Sequence, residues 1–457
     1  MISSSQSMFV RGTMVIVIVC LTICDAFRMQ QTLRARRGGE LRMQETIVVT
    51  GMGVISPVGS THTVFFDNLC NGVSGVGKVT RFNAEPFKCQ IAAQINDFDP
   101  KSYYKSKKKI KQNDLYTHFA VAASHMALAD AGIDLLKEGN TVDATRVGVI
   151  IGSAFGGMDS FEKAALDLKE YGPTAVGPYT IPMILGNTAA GIVGMETGAK
   201  GPNFGVQTAC ATATHAFGEA LRLMRNGDAD IIIAGGAEAP ITPLSFAGFC
   251  NLMAMNINYN DDPTKASRPF DLNRGGFVMA EGAGVLVLET LSHAVKRGAR
   301  VYCELAGYGA SCDAYHITSP DPEGDGLNRA IRYSLKDAGV ELEEVEYVNA
   351  HGTSTKKNDQ FETVAYKKVP PPPFPHSSDL IPSLTISPYR LFSQIDSLTL
   401  HSSLPSSLDL TLLTLALLQP LKLTPPSISS PITPTITHRP SSLIAHHHPS
   451  PIITHRP

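Results

Sequence analysis

The segment VQTACATATHAFGEALRLM sets Cys210 immediately ahead of a helical pattern. A thiol at a helix N-terminus feels the positive end of the helix dipole and nearby backbone N–H groups. Both lower its pKa and offer a thiolate for nucleophilic attack. Cys210 is therefore the candidate nucleophile. A second segment, VEYVNAHGTSTKKND, reads as a strand ending in Asn349, Ala350 and His351, followed by small hydroxylic residues. An imidazole where a strand opens into a loop can reach a cleft and donate a hydrogen bond to a thioester or enolate oxygen. Using the two together requires a fold that joins strand ends far apart in the chain. The remaining cysteines are weaker candidates. Cys303 sits in the strand-like VYCELAG, and Cys70, Cys89, Cys250 and Cys312 lie in mixed segments without an adjacent base. A free cysteine is commonly a buried, inert thiol, so placement alone separates Cys210 from the rest.

The elements that must position these residues alternate between 45 and 369. IVVTGMGVISP (47–57), RVGVIIGSAFG (146–156), ADIIIAGGAEA (229–239) and GAGVLVLET (282–290) read as buried strands bordered by glycine turns. Helical patterns over 118–131 and 211–226 fall between them. In the second, Phe217, Leu221 and Met224 share one face, and Gly227 stands where a helix would end. Such alternation predicts an α/β layered fold. The glycine clusters are not phosphate loops: GMG at 51–53 lacks the rest of a dinucleotide fingerprint, and no GKS or GKT follows any of them. They read as tight turns and close backbone approaches.

Composition bounds the function classes. With 43% hydrophobic residues, 18% charged and a net charge of −2, neither global disorder nor a strongly basic nucleic-acid binder is indicated. Eight dispersed cysteines read as reduced thiols, and no Cys/His cluster suggests a structural metal.

The two ends differ from the middle. Residues 1–44 open with a short polar region and an apolar run over 14–24, too short to span a bilayer comfortably. The following FRMQQTLRARRGGELRMQ has five Arg and a single acid, Glu40. A signal-like segment followed by a Phe-led basic stretch resembles the bipartite plastid presequence of algae whose plastid lies behind extra membranes; a plain secretory signal or uncleaved anchor is the alternative. Residues 370–457 contain none of the 39 glycines and 17 of the 30 prolines, with near-repeats ITHRP at 436–440 and 453–457. Proline this frequent breaks helices and interior strands, so a low-complexity, disordered tail is expected. It reads either as translated non-coding sequence or as an interaction segment.

Four motifs in order carry a family resemblance: TACATA around Cys210, ASRPFDLNRGGFVMAEGAGVLVLE at 266–289, SCDAYHITSPDPEG at 311–324 and NAHGTST at 349–355. Together they resemble the β-ketoacyl-acyl-carrier-protein synthases, the type I and II condensing enzymes, over residues 45–369. The resemblance implies a thiolase-like five-layer αβαβα fold, usually homodimeric, with an N-terminal half over 45–290 and a partial C-terminal half over 291–369. It implies the decarboxylative condensation of an acyl thioester with malonyl carrier protein in fatty acid biosynthesis, with no metal and no cofactor beyond the phosphopantetheine that carries the substrates.

By that resemblance Cys210 matches the nucleophile, and its backbone N–H matches half of the oxyanion hole. His351 matches the first of two catalytic histidines, and Thr353 and Thr355 match threonines that contact the phosphopantetheine arm. Asp313 and His316 match supporting positions, His215 falls off the pattern, and the region 179–195 bears on chain length. The basic run at Lys105, Lys107, Lys108 and Lys109 is either a solvated face or a patch that steers an acidic carrier protein. A polyketide-type ketosynthase, a thiolase and a non-catalytic interaction protein are the alternatives.

Beyond 369 the family's lysine turn, second histidine and GFGG loop have no counterpart. His376, His401, His438, His446, His447, His448 and His455 match none of these. The second half is thus expected to be incomplete, with an exposed apolar edge, and the chain to be inactive or unstable.

Overall fold

The computed structural model describes residues 45–369, together with the backbone of two short antiparallel strands, Leu33–Ala35 and Leu41–Met43. Beyond those strands, the presequence over 1–44 and the tail over 370–457 lie outside the described residues.

Six strands form the central sheet: β1 (Ile47–Ile55), β2 (Val147–Gly152), β3 (Asn203–Phe204), β4 (Ile231–Glu238), β5 (Gly282–Thr290) and β6 (Cys303–Glu304), in the spatial order β6-β1-β5-β4-β2-β3. β2, β3 and β4 run parallel; β4, β5, β1 and β6 pair antiparallel. The sheet is therefore mixed. The four long strands β1, β2, β4 and β5 are rich in β-branched residues and largely buried on both faces, which explains their near-continuous apolar sequence.

The principal helices are α1 (Leu115–Asp130), α2 (Met158–Tyr171), α3 (Thr188–Thr197), α4 (Thr212–Asn226), α5 (Pro243–Asn251), α6 (Asp325–Ala338) and α7 (Lys356–Lys367). Alternation along β4 assigns the faces. Ile231 and Ile233 point into a core with Phe119, Ala123 and Ala127 of α1 and Val193 of α3. Ile232 and Ala234 point the other way, against Ala216, Ala220, Leu221 and Met224 of α4. α4 buries the face expected of it and ends at Gly227, whose left-handed φ of 83° a glycine adopts freely. No helix among the described residues is long and apolar enough to cross a membrane.

The GMG segment at 51–53 is a close backbone approach. A Cβ built on Gly53 would lie 1.9 Å from the Ala123 carbonyl oxygen, and one on Gly51 would lie 2.2 Å from that of Ala127. α1 thus rests directly on β1.

The second half differs from expectation. No strand forms over 345–350, although VEYVNA has a strand's composition, and Tyr347 and Val348 are exposed. Strand character without a neighbouring ladder leaves extended but unpaired backbone. Among the described residues this half has a small core in which Leu327, Ile331 and Leu335 of α6 meet Ala365 of α7 and Val340.

Candidate active site

Cys210 lies in a single 3₁₀ turn, Ala209–Ala211, that leads into α4. Close approach of the strands creates this position. A Cβ on Gly152, the last residue of β2, would lie 2.1 Å from Thr212 Cγ2, and one on Gly236 of β4 would lie 3.0 Å from Ala213 Cβ. Two strand ends therefore abut the first turn of α4. Ala209 takes a φ of 51°, a left-handed conformation that strains a residue with a side chain at the sharp entry to the nucleophile position. Thr208 N–H donates to Thr212 Oγ1 at 2.9 Å, and Gln207 Nε2 donates to the Ala154 carbonyl at 2.9 Å, fixing the approach.

The electrostatics of the thiol correct one expectation. Cys210 is exposed on one side, yet crowding by protein on the others desolvates it and pushes its pKa up, and the Glu238 carboxylate pushes in the same direction. Its own backbone N–H lowers the value without overcoming the other two. The helix-dipole argument predicted a depressed pKa; here dehydration and a like-signed neighbour outweigh it.

Glu238, at the end of β4, was not singled out from the sequence. Its carboxylate accepts from Ser153 Oγ at 3.0 Å, Ala154 N–H at 2.7 Å and Phe155 N–H at 3.4 Å. Burial raises its pKa to about 7, with Asp114 adding to the rise. Asp114 caps α1 and accepts from the Ser160 N–H and hydroxyl at 3.0 and 2.6 Å. The only signal in the sequence was an acid closing a buried apolar strand, where charge is costly unless it has work to do.

His351 lies on the loop before α7. Glu362 of that helix receives the His351 N–H at 2.6 Å, the Gly352 N–H at 2.9 Å and the Tyr366 hydroxyl at 2.7 Å. Ser354, buried with a φ of 66°, accepts the Arg268 N–H at 3.1 Å through its hydroxyl and the Gly276 N–H at 3.0 Å through its carbonyl. Arg274 donates to the carbonyls of Thr355 and Lys356 at 3.1 and 2.8 Å, and Asp359 accepts Phe270 N–H at 2.7 Å. The RPFDLNRGG block is thus the cradle of the histidine loop. Thr353 and Thr355 are brought together, with their hydroxyls 2.9 Å apart, while Thr355 also caps α7.

Aromatic rings join the cysteine side to the histidine side. Phe155, in the turn that Glu238 holds, packs on Phe249 of α5 with centroids 6.0 Å apart, and Phe249 packs on Phe277 at 5.2 Å. Phe277 adjoins Gly276, which bonds the histidine loop.

The other candidates have partners of their own. Asp313 accepts Asp321 N–H at 3.1 Å, and exposed His316 closes its own turn by accepting from Thr318 and Ser319 N–H at 3.1 and 3.2 Å. His215 packs edge-on to Tyr308 with centroids 6.0 Å apart. The basic run is only partly a solvated patch. Lys105 Nζ donates to the Met195 carbonyl at 2.7 Å and Lys109 pairs with Glu196 at 2.7 Å, while Lys107 and Lys108 are exposed. Glu196 is buried and needs the cation, which withdraws Lys109 from the surface.

A mixed sheet packed between helices, with a cysteine at the entry to α4 and a His-Gly-Thr loop cradled by the RPFDLNRGG block, has the features of a condensing enzyme of the thiolase-like class. Residues 44–294 match the family model described as the N-terminal domain of β-ketoacyl synthase, and residues 302–374 match its C-terminal domain. The chain is 46% identical over 325 residues to the 3-oxoacyl-[acyl-carrier-protein] synthase 2 of Synechocystis, covering 71% of this chain and 77% of that protein. It is 44% identical over 327 residues to the protein of the same name from Staphylococcus aureus, covering 72% and 77%. Among solved structures, a β-ketoacyl synthase from Burkholderia phymatum superposes with a TM-score of 0.66 at 32% identity, covering 71% of this chain and 78% of that one. A type II polyketide ketosynthase in complex with its acyl-carrier protein superposes at 0.64 and 35%, with the same coverage. The chain belongs to the β-ketoacyl synthase family.

Proposed function

We propose that this chain is built for the 3-oxoacyl-[acyl-carrier-protein] synthase reaction of fatty acid biosynthesis, with Cys210 as its acyl acceptor. The observation that carries this reading is the placement of Cys210 in a strained turn at the entry to α4, open to solvent on one side. The thiol sulfur attacks the thioester carbonyl, the Cys210 backbone N–H stabilises the developing oxyanion, and the carrier's thiol leaves with a proton. Malonyl carrier protein then loses carbon dioxide, and the resulting carbanion attacks the acyl-cysteine carbonyl; the carbon–sulfur bond breaks, and the released Cys210 thiolate takes up a proton. His351 stabilises the enolate oxygen in that step.

Thr353 and Thr355 offer paired hydroxyls to the amide-rich phosphopantetheine arm, the group that delivers both substrates. An acyl-carrier-protein partner is supported by the complex seen for the polyketide ketosynthase. Exposed Lys107 and Lys108 are the residues of the basic run suited to steering it. For residues 1–44, plastid import is the reading supported by the Arg-rich, acid-poor composition.

The test is transfer of radiolabelled acyl groups from acyl carrier protein to the purified chain. Label should appear on the Cys210 peptide and vanish in Cys210→Ser; label on another cysteine, or none, would reject the reading. Import of a reporter fused to residues 1–44 tests the address.

A further inference from the structure

Parallel pairing of β2 with β4 sets Gly152 opposite Gly236, so the chain ends beyond that pair emerge side by side against the first turn of α4. On one end is the turn 153–156; on the other is Glu238. All three donors that Glu238 accepts belong to that turn, and Ser153 Oγ also accepts Gly156 N–H at 2.9 Å, closing it. The Ala154 carbonyl in the same turn receives Gln207, three residues before Cys210. The carboxylate thus ties the turn to the strand at the point where the nucleophile enters its helix. We propose that Glu238 is a positioning residue: it fixes the 153–156 turn with its ionised oxygens and, from the same place, sets how readily the Cys210 thiol ionises.

The charge balance around it follows from the packed elements. Asp114 and Tyr116 face it from α1, and Cys210 faces it from the turn before α4. Asp114 is itself bonded to Ser160 of α2, and Glu162 of that helix is turned away to Leu244 N–H of α5 at 3.1 Å. No cation contacts the Glu238 carboxylate among the described residues, so its ionisation works against that of the sulfur. A free thiolate is prone to oxidation, whereas a thiol that ionises as substrate displaces water is protected until needed.

This inference rests on Cys210 being the acyl acceptor, but its test does not. The full chain is treated with iodoacetamide across a pH series, and alkylation is followed on the Cys210 peptide by mass spectrometry. Glu238→Gln should accelerate alkylation about three- to tenfold at about pH 8, where the parent carries the opposing charge, and by less at about pH 5, where it does not. Equal rates at both pH values would overturn the proposal. Should the variant fail to fold, the parent suffices: its log rate against pH must show a shoulder near the Glu238 value of about 7. A single unbroken titration would overturn the proposal. Faster alkylation in Glu238→Gln without acyl transfer in the parent would reject the proposed function and leave the coupling standing.

Discussion

Glu362 Oε1 accepts the backbone N–H of His351 at 2.6 Å. The second oxygen takes Gly352 N–H at 2.9 Å, so one buried carboxylate on α7 fixes the backbone at both positions. The imidazole is thereby positioned through its main chain. Tyr366, one turn further along α7, donates to Oε1 at 2.7 Å, and Asn358 Nδ2 donates to the other oxygen at 3.2 Å.

Glu362→Ala should therefore destabilise the chain by about 2–4 kcal/mol, because it strands four buried or part-buried donors. Tyr366→Phe removes one donor from an acceptor that keeps others and should cost only about 1 kcal/mol. Urea unfolding of both variants checks this ordering. Equal losses would mean that the carboxylate is not what holds the loop.

The lysine run separates into surface and interior. Lys109→Glu removes the partner of buried Glu196 and should cost about 3 kcal/mol, read as a fall in melting temperature. Lys107→Glu and Lys108→Glu should leave stability within about 0.5 kcal/mol and raise the KM for carrier-protein substrate, more at low salt than at high. An unchanged KM in those two variants would discard carrier steering by this run.

Much of this architecture is written in local pattern. The strands around Ile150, Ile232 and Val287 follow from buried β-branched runs, and α4 follows from Phe217, Leu221, Met224 and the stop at Gly227. Cys210 at the head of a helix was legible for the same reason. Its raised pKa was not, because Glu238 is 28 residues away in sequence and is brought near only where the first turn of α4 abuts the ends of β2 and β4. The cradle of His351 was hidden likewise: RPFDLNRGG carries no periodicity and works through main-chain bonds to Ser354 and Thr355. The segment 345–350 misled in the opposite direction, since strand propensity needs a partner ladder to become a strand.

Close packing of α1 on β1 gives a contrast between two glycines of neighbouring strands. Gly53→Ala drives a methyl to 1.9 Å from the Ala123 carbonyl oxygen, and since that atom is backbone the helix must move. The cost should exceed about 2 kcal/mol. Gly284 on β5, which pairs with the neighbouring Val54, has open space where its Cβ would stand. Gly284→Ala should be neutral or stabilising by a few tenths of a kcal/mol, as roughly expected from reduced freedom of the unfolded chain. Chemical denaturation of the pair decides it, and similar costs would refute the close approach.

Acid and base should act on the fold through different carboxylates. Burial alone would raise the pKa of Glu289, but hydrogen bonds from Arg297 at 2.6 Å and from His293 at 2.5 Å hold it below the usual 4.5. Its contribution to stability is complete above 4.5 and is lost as pH falls through the lower folded value. Glu238 has the reverse sign. Burial raises it from 4.5 to about 7, so the folded chain holds that proton more tightly than the unfolded chain does. Its contribution is complete below 4.5 and is lost as pH rises through about 7. Buried His118, hydrogen-bonded to the Tyr104 hydroxyl at 2.8 Å and lowered from 6.5 to about 4, works against Glu238 over much of that window. The comparison that isolates Glu238 is therefore between parent and Glu238→Gln, in which His118 cancels. The stability of the variant relative to the parent should rise between pH 4.5 and about 7 and level off above it. Urea midpoints measured for both chains across that range test this, and a difference that is flat with pH would show that the Glu238 carboxyl titrates as an ordinary one.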